Sequence, residues 1–428
     1  MRQPISETLA NGLTVVVVPA PEAHQVQVSL LLAVGSRFES PAELGCSHFL
    51  EHMLFRGSKA HPSSQALALA FEGVGTLPGA MTGVESTEFD FVAHPERLEE
   101  ALTILTGFVR EPLLLDLEKE RAIIQDEIQY DYNEQGELIH LGSIIAGMLW
   151  PHHPLGQSII GTSQTLERQN ETSLRAYHAR HYQPQNMILG LVGRITPEEA
   201  LPLVRRTLGE WKGTGHRELP ELVTGRLGAP GARVHTAKDS DSQLHVQLSF
   251  PAPGYNDPEE GALVLLSRLL DDGPTTRLQL AVREESGLAY HVAADYSGFQ
   301  DVGQFDITTS LTADRLVDGL TAMMTVLRDF REHGPKEDEL ARAKRRHQFE
   351  LEFARDDLRT AMERHVWPRL YSTPRDEAEE LAMIEAVTSN QLQALAARIL
   401  RRDTACLAMV GPVDEAAQAA LHAALELL

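Results

Sequence analysis

The sequence predicts an α+β protein built from two homologous halves, each a mostly antiparallel sheet with helices packed on one face. Three observations lead to this prediction. Short β-branched or aliphatic runs are interspersed with stretches of helical periodicity. The order of elements starts again after a stretch rich in Gly, Pro and Thr near the middle of the chain. Finally, segments of the second half resemble segments of the first at nearly constant spacing, which indicates an internal repeat.

The elements of the first half follow from periodicity and from turn residues. Strands are predicted at residues 14–18 and 26–34, which are aliphatic runs separated by Pro19 and Pro21. A helix is predicted over residues 41–57, because Pro suits a helix start and Gly a helix end. The later predictions are helices at 65–72, 95–110, 116–133 and 197–211, strands at 85–93 and 187–192, and a helical stretch after residue 138 that is interrupted at 151–154.

The repeat predicts the domain organisation. Residues 26–30 (VQVSL) resemble residues 246–250 (VQLSF), and residues 189–193 (LGLVG) resemble residues 407–411 (LAMVG). The similar offsets at both ends of the repeat predict a domain at 1–212, a linker at 213–231 and a homologous domain at 232–428.

The composition restricts the classes of partner and the compartment. The net charge of −23 argues against nucleic acid and anionic membranes as partners, and it is compatible with cationic peptides. The first apolar run is short, and no apolar stretch approaches the roughly 20 residues needed to span a bilayer. The two cysteines, Cys46 and Cys406, do not make a disulfide framework. We therefore expect a cytoplasmic protein.

The most informative motif is His48-Phe49-Leu50-Glu51-His52. His48 and His52 stand four residues apart on a predicted helix, so their side chains point the same way, and Glu51 shares that face. Two imidazoles one turn apart can hold Zn²⁺, and a neighbouring carboxylate can take a proton from a water that the metal activates. The pattern H-x-x-E-H is a zinc-peptidase signature, the reverse of the commoner H-E-x-x-H.

The second half carries the same helix without this chemistry. Residues 48–54 (HFLEHML) align with residues 264–270 (VLLSRLL), and both segments are followed three residues later by Gly. The apolar positions persist, whereas His48, Glu51 and His52 are replaced by Val, Ser and Arg. Since the fold does not need the polar residues at this helix, the comparison favours a functional role for them.

A catalytic zinc site needs a third protein ligand. Glu120 and Glu127 are seven residues apart on a predicted helix, so they share a face two turns from each other. Their spacing alone is equally consistent with surface glutamates in an acidic protein. Glu134 and Glu137 are the alternative ligands.

Taken together, these motifs resemble the insulinase/pitrilysin-type (M16) zinc peptidases, and the length and two-half layout look most like the short bacterial subfamily related to the mitochondrial processing peptidase. The matching residues are Asn11-Gly12-Leu13, Gly45, 48–57, Thr82, Thr87, 120–127 and 156–161. The resemblance implies that His48, His52 and Glu127 bind one zinc ion per chain. It also implies that Glu120 orients the ligands without binding the ion itself, and that Glu51 is the general base.

The resemblance also implies how substrate is bound. Arg283 and Tyr290, seven residues apart in the half without zinc, would bind substrate near the scissile bond, where both can donate hydrogen bonds to a developing oxyanion. A peptide would add to an edge strand at Ala80, Met81 and Thr82 by backbone hydrogen bonds. This chain has Gly79 where the family often has Asn, which affects the expected positioning of the substrate.

The expected function is therefore that of a zinc metalloendopeptidase that hydrolyses unfolded peptides in a closed chamber. By the resemblance, two chains form a clamshell homodimer, in which Arg283 and Tyr290 of one chain reach the zinc of its partner. The alternatives are a non-catalytic structural or assembly subunit and one half of a hetero-oligomeric peptidase. The presence of the zinc helix and of Arg283 and Tyr290 in one chain favours the homodimer over the heterodimer.

Overall fold

The structure is a computed structural model that describes residues 3–213, 219–223, 231–371 and 374–428. Its strands are β1 (Ile5–Thr8), β2 (Thr14–Pro19), β3 (Val26–Leu32), β4 (Gly79–Thr82), β5 (Thr87–Ala93), β6 (Met187–Gly193), β7 (Arg233–Lys238), β8 (Leu244–Pro253), β9 (Ala289–Gly298), β10 (Val302–Leu311) and β11 (Cys406–Gly411). Its α-helices are α1 (Cys46–Leu54), α2 (Ser64–Gly73), α3 (Leu98–Arg110), α4 (Leu117–Tyr130), α5 (Leu141–Leu149), α6 (Ser163–Arg168), α7 (Glu171–His181), α8 (Pro197–Arg206), α9 (Glu260–Leu270), α10 (Leu316–His333), α11 (Glu337–Phe353), α12 (Leu358–His365), α13 (Pro368–Tyr371), α14 (Glu377–Ala386), α15 (Ser389–Ile399) and α16 (Glu415–Leu425).

The strands form two sheets of matching topology. The first has the order β1-β2-β6-β3-β5-β4 and the second the order β7-β11-β8-β10-β9. In each sheet one pair is parallel, β2 with β6 and β7 with β11, and the other pairs are antiparallel. Apart from β1, every strand of the first sheet has a counterpart in the second. The predicted α+β class with two homologous, mostly antiparallel sheets is therefore confirmed.

The chain forms two compact units, and each is assembled from three segments that are not consecutive in the sequence. The first comprises Met1–Ile128, Gln157–Glu221 and Glu352–Pro374, and the second comprises Gln129–Gly156, Leu222–Leu351 and Arg375–Leu428. Each unit thus contains one segment from the other half of the chain. Of the predicted linker at 213–231, residues 214–218 and 224–230 lie outside the described residues.

The sheet of the first unit is covered on both faces. Its larger core joins alternate residues of β2, β3 and β6 to the apolar sides of α1, α3 and α7. On the opposite face, Val16, Val18 and Ile188 pack against Met362 and Val366 of the segment that follows α11. The helical periodicity predicts amphipathic helices correctly, but it does not indicate that this late segment completes the early sheet.

An ion pair between a half-buried arginine and a buried glutamate fixes the late segment to the first sheet. Arg359 donates to both carboxylate oxygens of Glu88, at 3.1 and 2.9 Å. Glu88 is 2% exposed and also accepts a hydrogen bond from Ser29 at 2.5 Å. A guanidinium held bidentately by a buried carboxylate has a specified orientation, so this contact positions α12 on the sheet.

In the second unit, α9, α10, α15 and α16 bury their apolar sides together with β8, β10 and β11 in one core. The exchanged helix α5 packs against β8 and β11. Within the described residues, no helix combines the length and the apolar character that crossing a membrane requires.

Candidate metal centre and peptide-binding edge

The helix that carries the motif begins later than predicted. Residues 41–45 form turns, and α1 starts at Cys46 because Gly45 adopts φ 87°, outside the helical region. The buried carboxylate of Glu39 accepts the backbone N–H groups of Gly45 at 2.8 Å and Ser47 at 2.6 Å, which satisfies donors at the helix N-terminus. The predicted start at residue 41 was therefore wrong, because this cap cannot be read from helical periodicity.

The orientation of α1 follows from its apolar side. Phe49, Leu50 and Met53 are fully buried in the core of the first unit. His48 and His52 therefore point away from this core, and their rings lie 4.6 Å apart between centroids. Cys46 is buried and donates to Gln169 at 3.0 Å, so it packs inside the unit and does not face the two imidazoles.

The two imidazoles converge with a carboxylate from α4. Glu127 Oε2 lies 3.7 Å from His48 Nε2 and 3.8 Å from His52 Nε2. One ligand atom from each of these three side chains lies within 4.8 Å of the other two, close enough to share a metal ion. Within the described residues, no other group of three or more His, Cys, Asp or Glu side chains does so. Tetrahedral zinc with bonds of 2.0–2.1 Å separates its ligand atoms by about 3.4 Å, so the observed spacing fits this ion with small movements.

The ionisation of His48 also suits a metal ligand. Burial, assisted by the neighbouring His52, lowers the pKa of His48 to about 4. The imidazole is therefore neutral at physiological pH, and a neutral ring nitrogen has the lone pair that a metal requires.

A network of hydrogen-bonded and ion-paired side chains begins at Nδ1 of His52. Glu120, which is buried, accepts a hydrogen bond from His52 Nδ1 at 3.2 Å. Its other carboxylate oxygen lies 3.1 Å from Arg56 Nη1, and Arg56 Nη2 lies 2.8 Å from Asp116. Neither Arg56 nor Asp116 was among the residues predicted from the sequence. The one available signal was the position of Arg56, four residues after His52 and therefore one helical turn further on.

The proposed base and the predicted edge strand are joined directly. Thr82 Oγ donates to Glu51 Oε2 at 2.5 Å. Burial raises the pKa of Glu51, the nearby Glu127 carboxylate acts in the same direction, and the hydrogen bond from Thr82 opposes both. Thr82 therefore fixes the orientation of this carboxylate beside the two imidazoles.

Strand β4 is the last strand of its sheet and pairs only with β5 among the described strands. Ala80 and Thr82 are half-buried toward α1, whereas Met81 is 48% exposed on the opposite side. A strand with one unpaired edge can accept an extended peptide through its backbone N–H and C=O groups.

The structure gives a local reason for the glycine at position 79. A Cβ atom at Gly79 would lie 2.8 Å from Asp90 Oδ1. Asp90 accepts a hydrogen bond from Gln27 at 3.2 Å and lies 3.5 Å from Arg359 Nη1. A larger residue at position 79 would have to displace this carboxylate from its partners.

A cavity that the sequence did not predict adjoins the metal-ligand cluster. Glu51, His52, Arg56 and Glu120 line it together with Ser64 and Ala68, and its other walls are apolar: Phe55, Leu67, Phe71, Leu77 and Pro78. The apolar lining comes mainly from α2 and from the residues before β4. The cavity can therefore take an apolar side chain next to Glu51.

Arg283 and Tyr290 lie in the second unit and are adjacent to each other. The guanidinium of Arg283 lies 5.7 Å from the centroid of the Tyr290 ring, within the range of a cation–π contact. Arg283 belongs to a π-helical turn, Gln279–Glu284, and Tyr290 is 85% exposed at the start of β9. Both side chains are thus accessible, and they are held together by their own contact.

In the second unit an ion pair occupies the place of the predicted metal ligands. Arg268 on α9, at the position aligned with His52, forms a salt bridge with Glu350 on α11, the helix that follows α10 as α4 follows α3. Ser267, aligned with Glu51, donates to the carbonyl of Ala294 at 2.7 Å. The aligned helix is thus present without metal-binding side chains. The alternative ligands Glu134 and Glu137 lie in the exchanged segment, and neither belongs to the cluster of His48, His52 and Glu127.

Comparisons with known proteins agree with this architecture. The insulinase (peptidase family M16) model matches residues 14–163, and the peptidase M16 inactive-domain model matches residues 170–346. The chain is 27% identical over 424 residues to an uncharacterized zinc protease of Streptomyces coelicolor, with 98% of this chain and 92% of the relative covered. It is 30% identical over 312 residues to an uncharacterized zinc protease of Rickettsia felis, with 72% and 73% covered. The chain belongs to the peptidase M16 family.

Two crystal structures show the same fold. The peptidase M16 inactive domain from Pseudomonas fluorescens superposes with a TM-score of 0.86 at 22% identity, covering 96% of this chain and 99% of the other. A protease from Helicobacter pylori superposes with a TM-score of 0.85 at 19% identity and the same coverage. At these identities the likeness concerns the fold alone.

Proposed function

We propose that this protein is a zinc-dependent endopeptidase whose catalytic centre lies in the first unit. The observation that carries the proposal is the convergence of His48 and His52 from α1 with Glu127 from α4, beside Glu51. The names of the relatives in Streptomyces and Rickettsia support zinc as the metal. The ligand set of two imidazoles and one carboxylate is typical of catalytic zinc, which keeps a further position for water or substrate.

In the proposed reaction, three residues bind the metal ion and Glu51 transfers the proton. His48, His52 and Glu127 would hold the ion, which supplies a Lewis acid and lowers the pKa of water. Glu51 accepts the proton of the attacking water and then delivers it to the nitrogen of the leaving amine. Thr82 holds the Glu51 carboxylate at 2.5 Å in the orientation for this transfer.

The neighbouring surfaces indicate how a peptide would bind. An extended segment would pair with the free edge of β4 near Ala80, Met81 and Thr82, so that most of its affinity comes from backbone hydrogen bonds. The cavity beside Glu51, lined by Phe55, Leu67 and Phe71, would select an apolar side chain next to the scissile bond. Unfolded peptides fit this mode of binding, because their backbone N–H and C=O groups are free to pair with β4, whereas most of those in a folded protein are already paired.

We propose further that two identical chains form a clamshell around a chamber, with Arg283 and Tyr290 of one chain stabilising the oxyanion at the centre of its partner. The accessibility of both side chains and their mutual contact support this role. Mixing an Arg283→Ala chain with a Glu51→Gln chain tests it. Mixed dimers should recover part of the activity that each variant lacks, and verified mixed dimers without recovery would contradict the shared site.

The first experiment is metal analysis combined with digestion of a peptide library, with and without a chelator. Wild-type protein should contain about one zinc per chain and lose cleavage on chelation. Glu51→Gln should keep zinc and lose cleavage by a factor of about 10² to 10⁴, whereas Glu127→Ala should lose zinc. Wild-type zinc binding without cleavage of any peptide by the purified chain would favour the rival functions, an assembly subunit or half of a hetero-oligomer.

A further inference from the structure

The end of α1 is tied by its backbone to the segment that precedes α4. The N–H of Leu113 donates to the carbonyl of Gly57 at 3.0 Å, and the N–H of Lys59 donates to the carbonyl of Glu111 at 3.1 Å. Gly57 has φ 126°, and a Cβ atom there would lie 2.8 Å from the backbone nitrogen of Ser63. This pairing brings together two helices that carry metal ligands but are separated by more than sixty residues in the sequence.

The segment between this pairing and α4 has a strained backbone. Leu114 has φ 54° and Asp116 has φ 56°, which are left-handed values that residues other than Gly adopt rarely. Such conformations persist where the surroundings fix them, and they are concentrated at functional sites. In this conformation Asp116 stands immediately before α4 with its carboxylate 2.8 Å from Arg56 Nη2.

Arg56 connects the two helices through both of its terminal nitrogens. Nη2 binds Asp116 and Nη1 binds Glu120 at 3.1 Å, so one guanidinium joins the residue that precedes α4 to a carboxylate in the first turn of that helix. The Arg56 side chain is 13% exposed, and that of Glu120 is 7% exposed. The planar fork of arginine suits such a bridge, whereas the single ammonium of lysine does not.

Through Glu120, Arg56 is linked to the proposed metal ligand His52. Glu120 uses Oε1 for Arg56 and Oε2 for His52 Nδ1. With its Nδ1 proton donated to Glu120, His52 presents the lone pair of Nε2 toward Glu127. The orientation of His52 therefore depends on that of Glu120, and the orientation of Glu120 depends on Arg56.

We propose that Arg56 is a positioning residue of the metal centre, which is itself anchored by Asp116 and holds Glu120 against His52, so that Nε2 of His52 stays turned toward Glu127. The inference rests on the proposed function only in requiring that this centre binds zinc. Arg56 itself would not touch the ion.

The test measures the zinc dissociation constant by chelator competition on the full-length chain. Arg56→Met should weaken zinc binding about 10-fold, in the range found when partners of metal ligands are removed. Arg56→Lys should recover part of this loss, because one of the two carboxylates can still be bound. Arg205→Met, which removes an ion pair with Glu7 elsewhere in the same unit, is the matched control and should leave zinc affinity unchanged.

A double-mutant cycle tests whether Arg56 acts through Glu120. If it does, adding Arg56→Met to Glu120→Gln should weaken zinc binding by less than about 2-fold beyond Glu120→Gln alone. The visible spectrum of the Co²⁺-loaded protein should change in Arg56→Met and stay unchanged in Arg205→Met. If Arg56→Met does not fold, Arg56→Lys and its cycle with Glu120→Gln decide the question.

The possible failures are distinguishable. Tight wild-type zinc binding that Arg56→Met leaves unchanged would overturn this inference and leave the metal centre intact. Fully additive effects of Arg56→Met and Glu120→Gln would also overturn it, because Arg56 would then act by another route. If the wild-type chain binds no zinc, the proposed metal centre itself fails, and the inference fails with it.

Discussion

Replacing Thr82 by Val tests whether the edge strand and the proposed base work as one unit. The substitution keeps the shape of the side chain and removes the hydroxyl that donates to Glu51 at 2.5 Å. A hydrogen bond to a charged group contributes about 1.5–3 kcal/mol. If this contribution orients Glu51 for proton transfer, its loss lowers kcat/KM by about 10- to 150-fold, since each 1.4 kcal/mol is about tenfold in rate.

The assay is the steady-state cleavage of one fluorogenic peptide chosen from the library digest, with zinc content measured on the same samples. Zinc should stay at the wild-type level in Thr82→Val, because Thr82 does not belong to the ligand cluster. Thr82→Ser keeps the hydroxyl and should retain most of the activity. Wild-type kcat/KM in Thr82→Val would refute the reasoning, since Glu51 would then need no partner on β4.

Two further predictions concern stability. Burial, with a smaller effect of Arg180, lowers the pKa of His181 to about 4. The unfolded chain therefore binds a proton that the folded chain does not between about pH 6.5 and 4, and the fold loses stability as the pH falls through this range. The free energy of unfolding, measured by urea titration, should fall between pH 7 and pH 5 by about 2 kcal/mol less in His181→Phe than in the wild type. An equal fall in both proteins would contradict the lowered pKa of His181. Gly190→Ala should destabilise the protein by about 1–3 kcal/mol, because the new Cβ would overlap Met362 Sδ and lie 2.8 Å from a Val366 methyl. Adding Met362→Ala should cost less than the sum of the two changes, and strict additivity would argue against this contact.

The sequence was sufficient for the elements with strong periodicity and for the pair of histidines. A helix with an apolar side at Phe49, Leu50 and Met53 must present His48 and His52 together on the other side. In the structure the apolar side is buried and the two imidazole rings are adjacent. The strand order of the second sheet repeats that of the first, which the resemblance between residues 26–30 and 246–250 anticipated. The spacing of Glu120 and Glu127 alone did not distinguish a metal ligand from a surface carboxylate; the family resemblance implied Glu127, and the fold places its carboxylate beside the two imidazoles.

The contacts that the sequence did not reveal depend on tertiary structure. The start of α1 is set by the carboxylate of Glu39, which precedes the helix and caps it from the side. The pair of Arg56 and Asp116 joins residues 60 positions apart, and the strained backbone at Asp116 has no compositional signal. No element was predicted for residues 358–365, and helical periodicity would not have shown which of two similar sheets α12 covers.

The completion of the first sheet by residues 352–374 has a consequence for biosynthesis. The ribosome makes all of β1–β6 long before it makes α12, so Val16, Val18, Ile188 and Val192 have no cover while most of the second half is being translated. Since an aliphatic sheet surface of this kind favours aggregation, the nascent chain would need a chaperone or a temporary partner until Met362, Val366 and Leu370 emerge.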